Sequence, residues 1–326
     1  MRERGATSRG VRLTGHAAAT PYRHDALLYD GDEQFLDGVL PFIREGLERD
    51  EHVFVVLDDA KAGLVLSELG RDGEDVQFAD MREIGRNPAC LIPAWRQVVD
   101  AHSSSGRGIR GLGEPVWAGR SKAELVECER HEALLNFAFG DVAGLSMLCP
   151  YELGALDDGV IAGAHFSHTG IVECGERHAN GAYRGATAAS APYDDPLPEP
   201  RAPVRDLAFT ATDLGAMRRF VAGRARAARL DAARCEDIVL AVNEIATNSI
   251  RHGGGSGTLR VWLEGGVLIC EVRDAGRLDD PLAGRRRPRA SDDAGRGLWL
   301  ANQVCDLVQL RSFPHGGAVR LHMRPR

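Results

Sequence analysis

The stretch "NEIATNSIRHGGGSG", residues 243–257, decides how the second half of this chain is read. Its first ten residues have helical spacing. Glu244 and Asn248 are four apart, so on a helix they lie one above the other on one face, and His252 follows a turn later. Ile245 and Ile250 fall toward a supporting sheet, which leaves the Glu–Asn stripe for a cleft. Alone, such a stripe also suits a solvated helix face. A carboxylate beside a carboxamide has a more specific chemistry as well. The amide oxygen can ligand a hard cation such as Mg²⁺ while the carboxylate positions or deprotonates a hydroxyl. The glycines that follow lack the Gly-Lys-Ser/Thr ending of a phosphate-binding P-loop, so they are read as a helix stop and a turn into the next strand.

Two further pieces give that stripe a context. "RDAGR" (273–277) places Asp274 at the end of an apolar strand with Gly276 beyond it. An aspartate there can accept a hydrogen bond from an exocyclic amine, while the glycine lets backbone approach a flat ligand. "AGRGLWLANQV" (294–304) opens a helix with Gly295, Arg296, Gly297 and Leu298, and free amides at a helix start suit a polyphosphate. Around these pieces the pattern reads strand (204–210), helix, helix (233–252), two strands (258–264 and 266–274), polar loop, helix (296–306) and two closing strands. That order predicts a mixed sheet with helices on one face.

With these residues in hand, 204–326 resembles a GHKL-type (Bergerat) ATP-binding domain, an α+β two-layer sandwich. Within that superfamily it is most similar to the anti-sigma-factor serine/threonine kinases. The resemblance implies ATP and Mg²⁺ as cofactors, Glu244 as catalytic base, Asn248 as Mg²⁺ ligand and Asp274 as reader of the adenine amine. It also implies that Gly276 and the run Gly295, Arg296, Gly297 and Leu298 frame the nucleotide under a lid spanning about 277–294. The lid carries "RRRPR" (285–289), positive charge for a phosphate, an acidic partner or plain solvent. The chain departs from the family in the last strand region, where "GGAVRLHM" (316–323) stands in place of a frequent Thr. A sigma factor, an anti-sigma-factor antagonist or both are the implied partners, and a homodimer through this half is implied too.

The first half alternates strands and amphipathic helices. "HDALLYD" (24–30) and "EHVFVVLD" (51–58) read as strands on either side of a helix over 32–50. Further helices are expected near 60–70, 88–105 and 121–139, with strands near 75–79, 109–113 and 143–149. This is the pattern of an α/β domain with a mainly parallel sheet. The stretches 24–47 and 129–153 resemble the MEDS sensory domain of DcmR-type sensors, thought to be related to RecA/KaiC-like folds, and imply sensing of a small-molecule signal. "GIRGLGEPVWAG" (108–119) reads as a ligand or switch loop, and His24, Trp117, His131, Cys149, Tyr151, His165 and His168 as candidate pocket residues. No pair among them has metal spacing; His165 and His168 are three apart without an evident third ligand. The expected boundaries are a sensory domain at 20–180, a flexible Ala/Pro/Gly/Asp-rich linker at 181–203 and the ATP-binding domain at 204–326.

Bulk properties narrow the classes. A formal charge of −7 gives no reason to expect nucleic acid as partner. The apolar runs are too short for a membrane span of about 20 residues, and "MRERGATSRG" at the start lacks a secretion core, so a cytoplasmic location is expected. Seven cysteines, scattered singly, are expected to be buried reduced thiols, with Cys149 beside Pro150 the one to watch. Two rival readings stay open. "RHEALLN" (130–136) imitates a phosphoacceptor box, which would make the chain a sensor histidine kinase using His131. A nucleotide-gated anti-sigma protein that binds without catalysis is the other.

Overall fold

The computed structural model describes residues 21–185, 196–289 and 295–325. The middle of the predicted linker (186–195) and the end of the predicted lid (290–294) lie outside them.

In the first half, β1 (Arg23–Tyr29), β2 (His52–Leu57), β3 (Val76–Asp80), β4 (Ile109–Gly113), β5 (Leu145–Glu152), β6 (Gly170–Glu173) and β7 (Glu176–Ala179) form one sheet in the order β3-β2-β4-β5-β1-β6-β7. Every pairing is parallel except β6 with β7. The helices are α1 (Gly31–Glu48), α2 (Asp59–Leu69), the single turn α3 (Met81–Ile84), α4 (Leu91–His102), α5 (Lys122–Phe139) and α6 (Asp158–Ser167). A strand covered on both faces needs apolar residues at successive positions, and β2 supplies them. Val53, Val55 and Leu57 enter the core under α1 and α2, while Phe54 and Val56 enter the opposite core with α4 and α5. Ser121 begins α5 with a capping box in which its side chain and that of Glu124 satisfy each other's backbone amides.

Sequence reading did not foresee α6, β6 and β7. The two strands have four residues each, too few for alternation to register, and α6 ("DGVIAGAHFS") has small residues all round rather than one apolar stripe. Cysteine burial is also only partly as expected. Cys174 is exposed in the β6–β7 turn, and Cys90 and Cys235 are half-buried; all seven thiols are free.

In the second half, β8 (Arg205–Thr210), β9 (Ser256–Glu264), β10 (Val267–Asp274), β11 (Leu307–Phe313) and β12 (Gly316–Met323) form an antiparallel sheet in the order β11-β12-β10-β9-β8. Helices α7 (Leu214–Ala227), α8 (Ala232–His252) and α9 (Arg296–Val304) cover one face. Their apolar residues, among them Val221, Ile238, Ile245 and Ala301, close a single core on Leu259, Cys270 and Leu321 of the strands. The other face is charged. Glu271, fully buried, accepts from Arg260, Arg273 and Arg320 at 3.0, 2.6 and 2.7 Å.

The C-terminal part of the predicted linker lies on that charged face. Leu197 is buried, the Pro198 carbonyl accepts from Arg320 at 2.9 Å, and Glu199 pairs with Arg260 and Arg273 at 2.9 and 3.0 Å. Hydrogen bonds from those two arginines hold the Glu199 carboxyl down at about 2.

The two halves touch through charged side chains. Glu127 of α5, 1% exposed, meets Arg311 of β11 at 2.9 Å and Arg285 of the lid at 3.7 Å. Arg130 donates to the Leu310 carbonyl at 2.6 Å, and Arg324 pairs with Glu124 at 3.2 Å. Asn87 donates to the Asn302 carbonyl of α9 at 2.9 Å.

Candidate functional site

Helix α8 presents Glu244 and Asn248 toward the first turn of α9. Both are half-buried, with Ile245 turned into the core. A Cβ at Gly297 would stand 3.1 Å from Glu244 Oε2 and 3.1 Å from Asn248 Nδ2. A glycine there lets the backbone of α9 come close to both polar side chains. Gly295 caps α9 in the left-handed region at φ +88, which glycine adopts without a Cβ clash. The first turn of α9 thus lies beside a carboxylate and a carboxamide.

Asp274 ends β10 and is held on both sides. Its Oδ1 accepts from Gly276 N at 2.7 Å and its Oδ2 accepts from the Ser249 hydroxyl. Gly253 packs so tightly that a Cβ would lie 2.5 Å from Asp274 Cγ. The glycine run thus does two things. It stops α8 at His252, with Gly254 and Gly255 at φ +91 and +85 turning the chain into β9, and it lets backbone pass over Asp274. Ser249 was not singled out from sequence. It sits at i+4 from the core residue Ile245 and so reads as packing until Asp274 is placed beside it.

Beside these residues lies a cavity of about 1880 Å³, lined by Asn248, His252, Asp274, Gly276 and Gly295 from the second half and by Arg86, Asn87 and Cys90 from the first; Glu244 and Gly297, next to Asn248, are not part of its lining. Leu298 lines it too, although its side chain is 8% exposed and belongs to the core. Arg296 is exposed at the first position of α9. Burial pushes the Cys90 thiol up to about 11, so it stays protonated and donates to the Asn302 carbonyl at 3.2 Å.

The lid is held by the first half. Leu282, 3% exposed, enters the core formed by Trp95, Leu134 and Phe139, and Arg285, 4% exposed, donates to the Pro88 carbonyl at 3.4 Å. Gly284 accepts from Asn302 at 2.9 Å, which ties the lid back to α9. Of the "RRRPR" run, Arg285 meets an acid of the same chain, Glu127, while Arg286 pairs with Asp280 at 3.1 Å within the lid.

In the first half, three of the candidate pocket residues come together. His24, Cys149 and His168 meet, joined by Glu132, which sequence reading missed because it lies on a helix far from the others in the chain. No pair has metal spacing along the chain, yet the fold gathers ligand-type side chains around His168: its partners come from other elements, and His165, half-buried, is not among them. Tyr151 packs edge-on against His168, and Trp117 lies 3.7 Å under the Arg120 guanidinium. His131 is 1% exposed, and burial holds its imidazole down to about 3. A ring so enclosed is out of reach of a nucleotide, which corrects the phosphoacceptor reading for this conformation. The glycines of "GIRGLGEPVWAG" serve packing: a Cβ at Gly111 would lie 2.9 Å from the Trp95 ring.

Residues 23–169 match the family described as MEDS, the methanogen/methylotroph, DcmR sensory domain. Residues 207–323 match the histidine kinase-like ATPase domain. No curated protein matches the chain significantly. Among solved structures, the chain is similar to the RsbU and RsbW domains of a Mycobacterium tuberculosis protein, at 20% identity and a TM-score of 0.28. That match covers 38% of this chain and 33% of the other. Among the described residues no helix is long and apolar enough to cross a membrane. The chain thus carries a MEDS sensory domain followed by a histidine kinase-like ATPase domain, the make-up of a signalling regulator.

Proposed function

We propose that this protein is an ATP- and Mg²⁺-dependent serine/threonine kinase of the anti-sigma type whose sensory half restrains its lid. The observation that carries the reading is the convergence of Glu244 and Asn248 on Gly297 at the open turn of α9. The residues fit the nucleotide: a helix start with a glycine-lined approach for phosphate, a carboxamide for Mg²⁺, and a fixed aspartate at the far end for a base amine. Bound Mg²⁺ would offset charge on the phosphoryl group. Glu244 would orient a partner's hydroxyl and take its proton, Asn248 would hold the cation, and Asp274, fixed by Ser249 and Gly276, would read the adenine. The substrate hydroxyl would belong to an anti-sigma-factor antagonist, and a sigma factor would be the second partner. The lid contacts at Leu282 and Arg285 support control by the sensory half, because a lid held by another domain is not free to close over the cleft.

The test is to incubate the protein with radiolabelled ATP and Mg²⁺, alone and with candidate antagonists. Acid-stable label on a partner's serine or threonine is the expected result. Acid-labile label on the chain itself would replace this reading with a histidine kinase. Bound ATP with no transfer would leave a binding protein.

A further inference from the structure

Four side chains that the ATP site does not use meet around one point of the first half. His24 comes from β1, Glu132 from α5, Cys149 from β5, and His168 from the residue that ends α6. None is more than 3% exposed. One donor atom from each lies within 4.8 Å of all the others. His24 Nε2 stands 3.1 Å from Glu132 Oε2 and 3.4 Å from Cys149 Sγ, and His168 Nε2 stands 3.4 Å from the same Glu132 oxygen.

The hydrogen bonds outside the cluster fix where the protons are. Asn136 donates through Nδ2 to the Ser167 carbonyl at 2.6 Å, so its Oδ1 faces His24 Nδ1 as an acceptor at 3.1 Å. His168 Nδ1 faces the Ala164 carbonyl at 2.8 Å, and a carbonyl can only accept. Both Nδ1 atoms therefore carry a proton, and each ring turns its Nε2 toward the Glu132 carboxylate. Lone pairs facing each other at these distances repel unless a positive charge sits between them. Glu132 Oε1 has no hydrogen-bond partner, and His168 Nε2 has only the long 3.4 Å contact to Glu132 Oε2; a buried polar atom left unpaired costs about 1–3 kcal/mol.

We propose that His24 Nε2, His168 Nε2, Cys149 Sγ and a Glu132 oxygen form a closed tetrahedral site for a zinc-class divalent metal. Ligand bonds of about 2.0–2.3 Å place tetrahedral donors roughly 3.3–3.6 Å apart, close to the three separations given above, with every donor pair within 4.8 Å. A thiolate with two imidazoles favours zinc-like ions over Mg²⁺ or Ca²⁺. Binding releases the Cys149 proton, and the thiolate and carboxylate then neutralise the dication, which makes a fully buried site electrostatically tolerable. Asn136 and the Ala164 carbonyl are the outer groups that aim the two rings. Four protein ligands leave no open position, so the site is structural and ties β1, β5, α5 and the end of α6 together. It does not depend on the ATP-site reading.

The test uses the full-length protein stripped with a chelator and titrated with Co²⁺. One equivalent per chain is expected, with a thiolate-to-cobalt charge-transfer band and d–d bands of tetrahedral intensity, both displaced by Zn²⁺. Cys149→Ser should lose the charge-transfer band and Cys174→Ser, in the exposed turn, should keep it. Asn136→Ala should keep the band but weaken binding by about 10–100-fold. Zn²⁺ should raise the Tm of the stripped wild type and not that of His168→Gln. A wild type that gives no tetrahedral cobalt spectrum overturns the proposal and leaves a proton shared between Glu132 and the histidines. So does a charge-transfer band that survives in Cys149→Ser. Should Cys149→Ser fail to fold, the wild-type spectrum and the His168→Gln melting comparison decide.

Discussion

Glu244→Gln keeps the shape of the side chain and removes its basicity. If Glu244 takes the proton, phosphoryl transfer should fall by about 10²–10⁴-fold while ATP affinity changes little, as followed by labelled transfer and nucleotide titration. His131 makes a different prediction. Its folded value of about 3 lies below the ordinary 6.5, so above pH 6.5 both states are neutral and the residue has no effect on stability. Below 6.5 the unfolded chain takes up a proton that the folded chain refuses, and stability falls by about 1.4 kcal/mol per pH unit until the folded value is reached. The gap in denaturant midpoint between wild type and His131→Leu should therefore shift in favour of the variant as pH drops from 6.5 toward 3; a gap independent of pH would contradict it. At this scale the pairing of Glu244 with Asn248 was legible because spacing four on one helix places two side chains on one face. The His24–Glu132–Cys149–His168 group was not, because four elements contribute one residue each and no local period links them.

Helix α5 is one of the elements that connect the two halves. Its Glu124, Glu127 and Arg130 reach Arg324, Arg311 and the Leu310 carbonyl across the interface. One turn further, Glu132 joins the histidine–cysteine cluster. Glu127→Ala would remove the carboxylate that meets both Arg311 and Arg285, a loss at the contact between the halves. The halves can escape that loss by separating, so amide hydrogen exchange over 278–289 should speed up in the variant without global unfolding. Unchanged exchange would show that the pair does not hold the lid. Most of the helices and strands could be read from periodicity. The β6–β7 hairpin could not, since four-residue strands carry no alternation, nor could the seating of 196–199 on the sheet, since nothing in "LPEPR" marks the buried Glu271 and its arginines as its destination.

Across the whole molecule, the sensory half holds the segment 282–285 of the ATPase half, which the proposed function makes part of a lid. Both domains could be read from the chain, but their contact could not. A charge run such as "RRRPR" shows that an acid could be met, not that it is Glu127 of the same chain. Among the described residues of that segment, Leu282 enters the core of the first half and Arg285 lies beside Glu127. Their release should free the lid, and a coupling of about 1–3 kcal/mol corresponds to roughly 5–150-fold. The decisive measurement is the rate of labelled phosphoryl transfer to the antagonist by wild type and by Leu282→Ala/Arg285→Ala, at saturating Mg²⁺ and ATP. A several-fold rise in the variant is the predicted result; equal rates in both would contradict restraint of the lid by the sensory half.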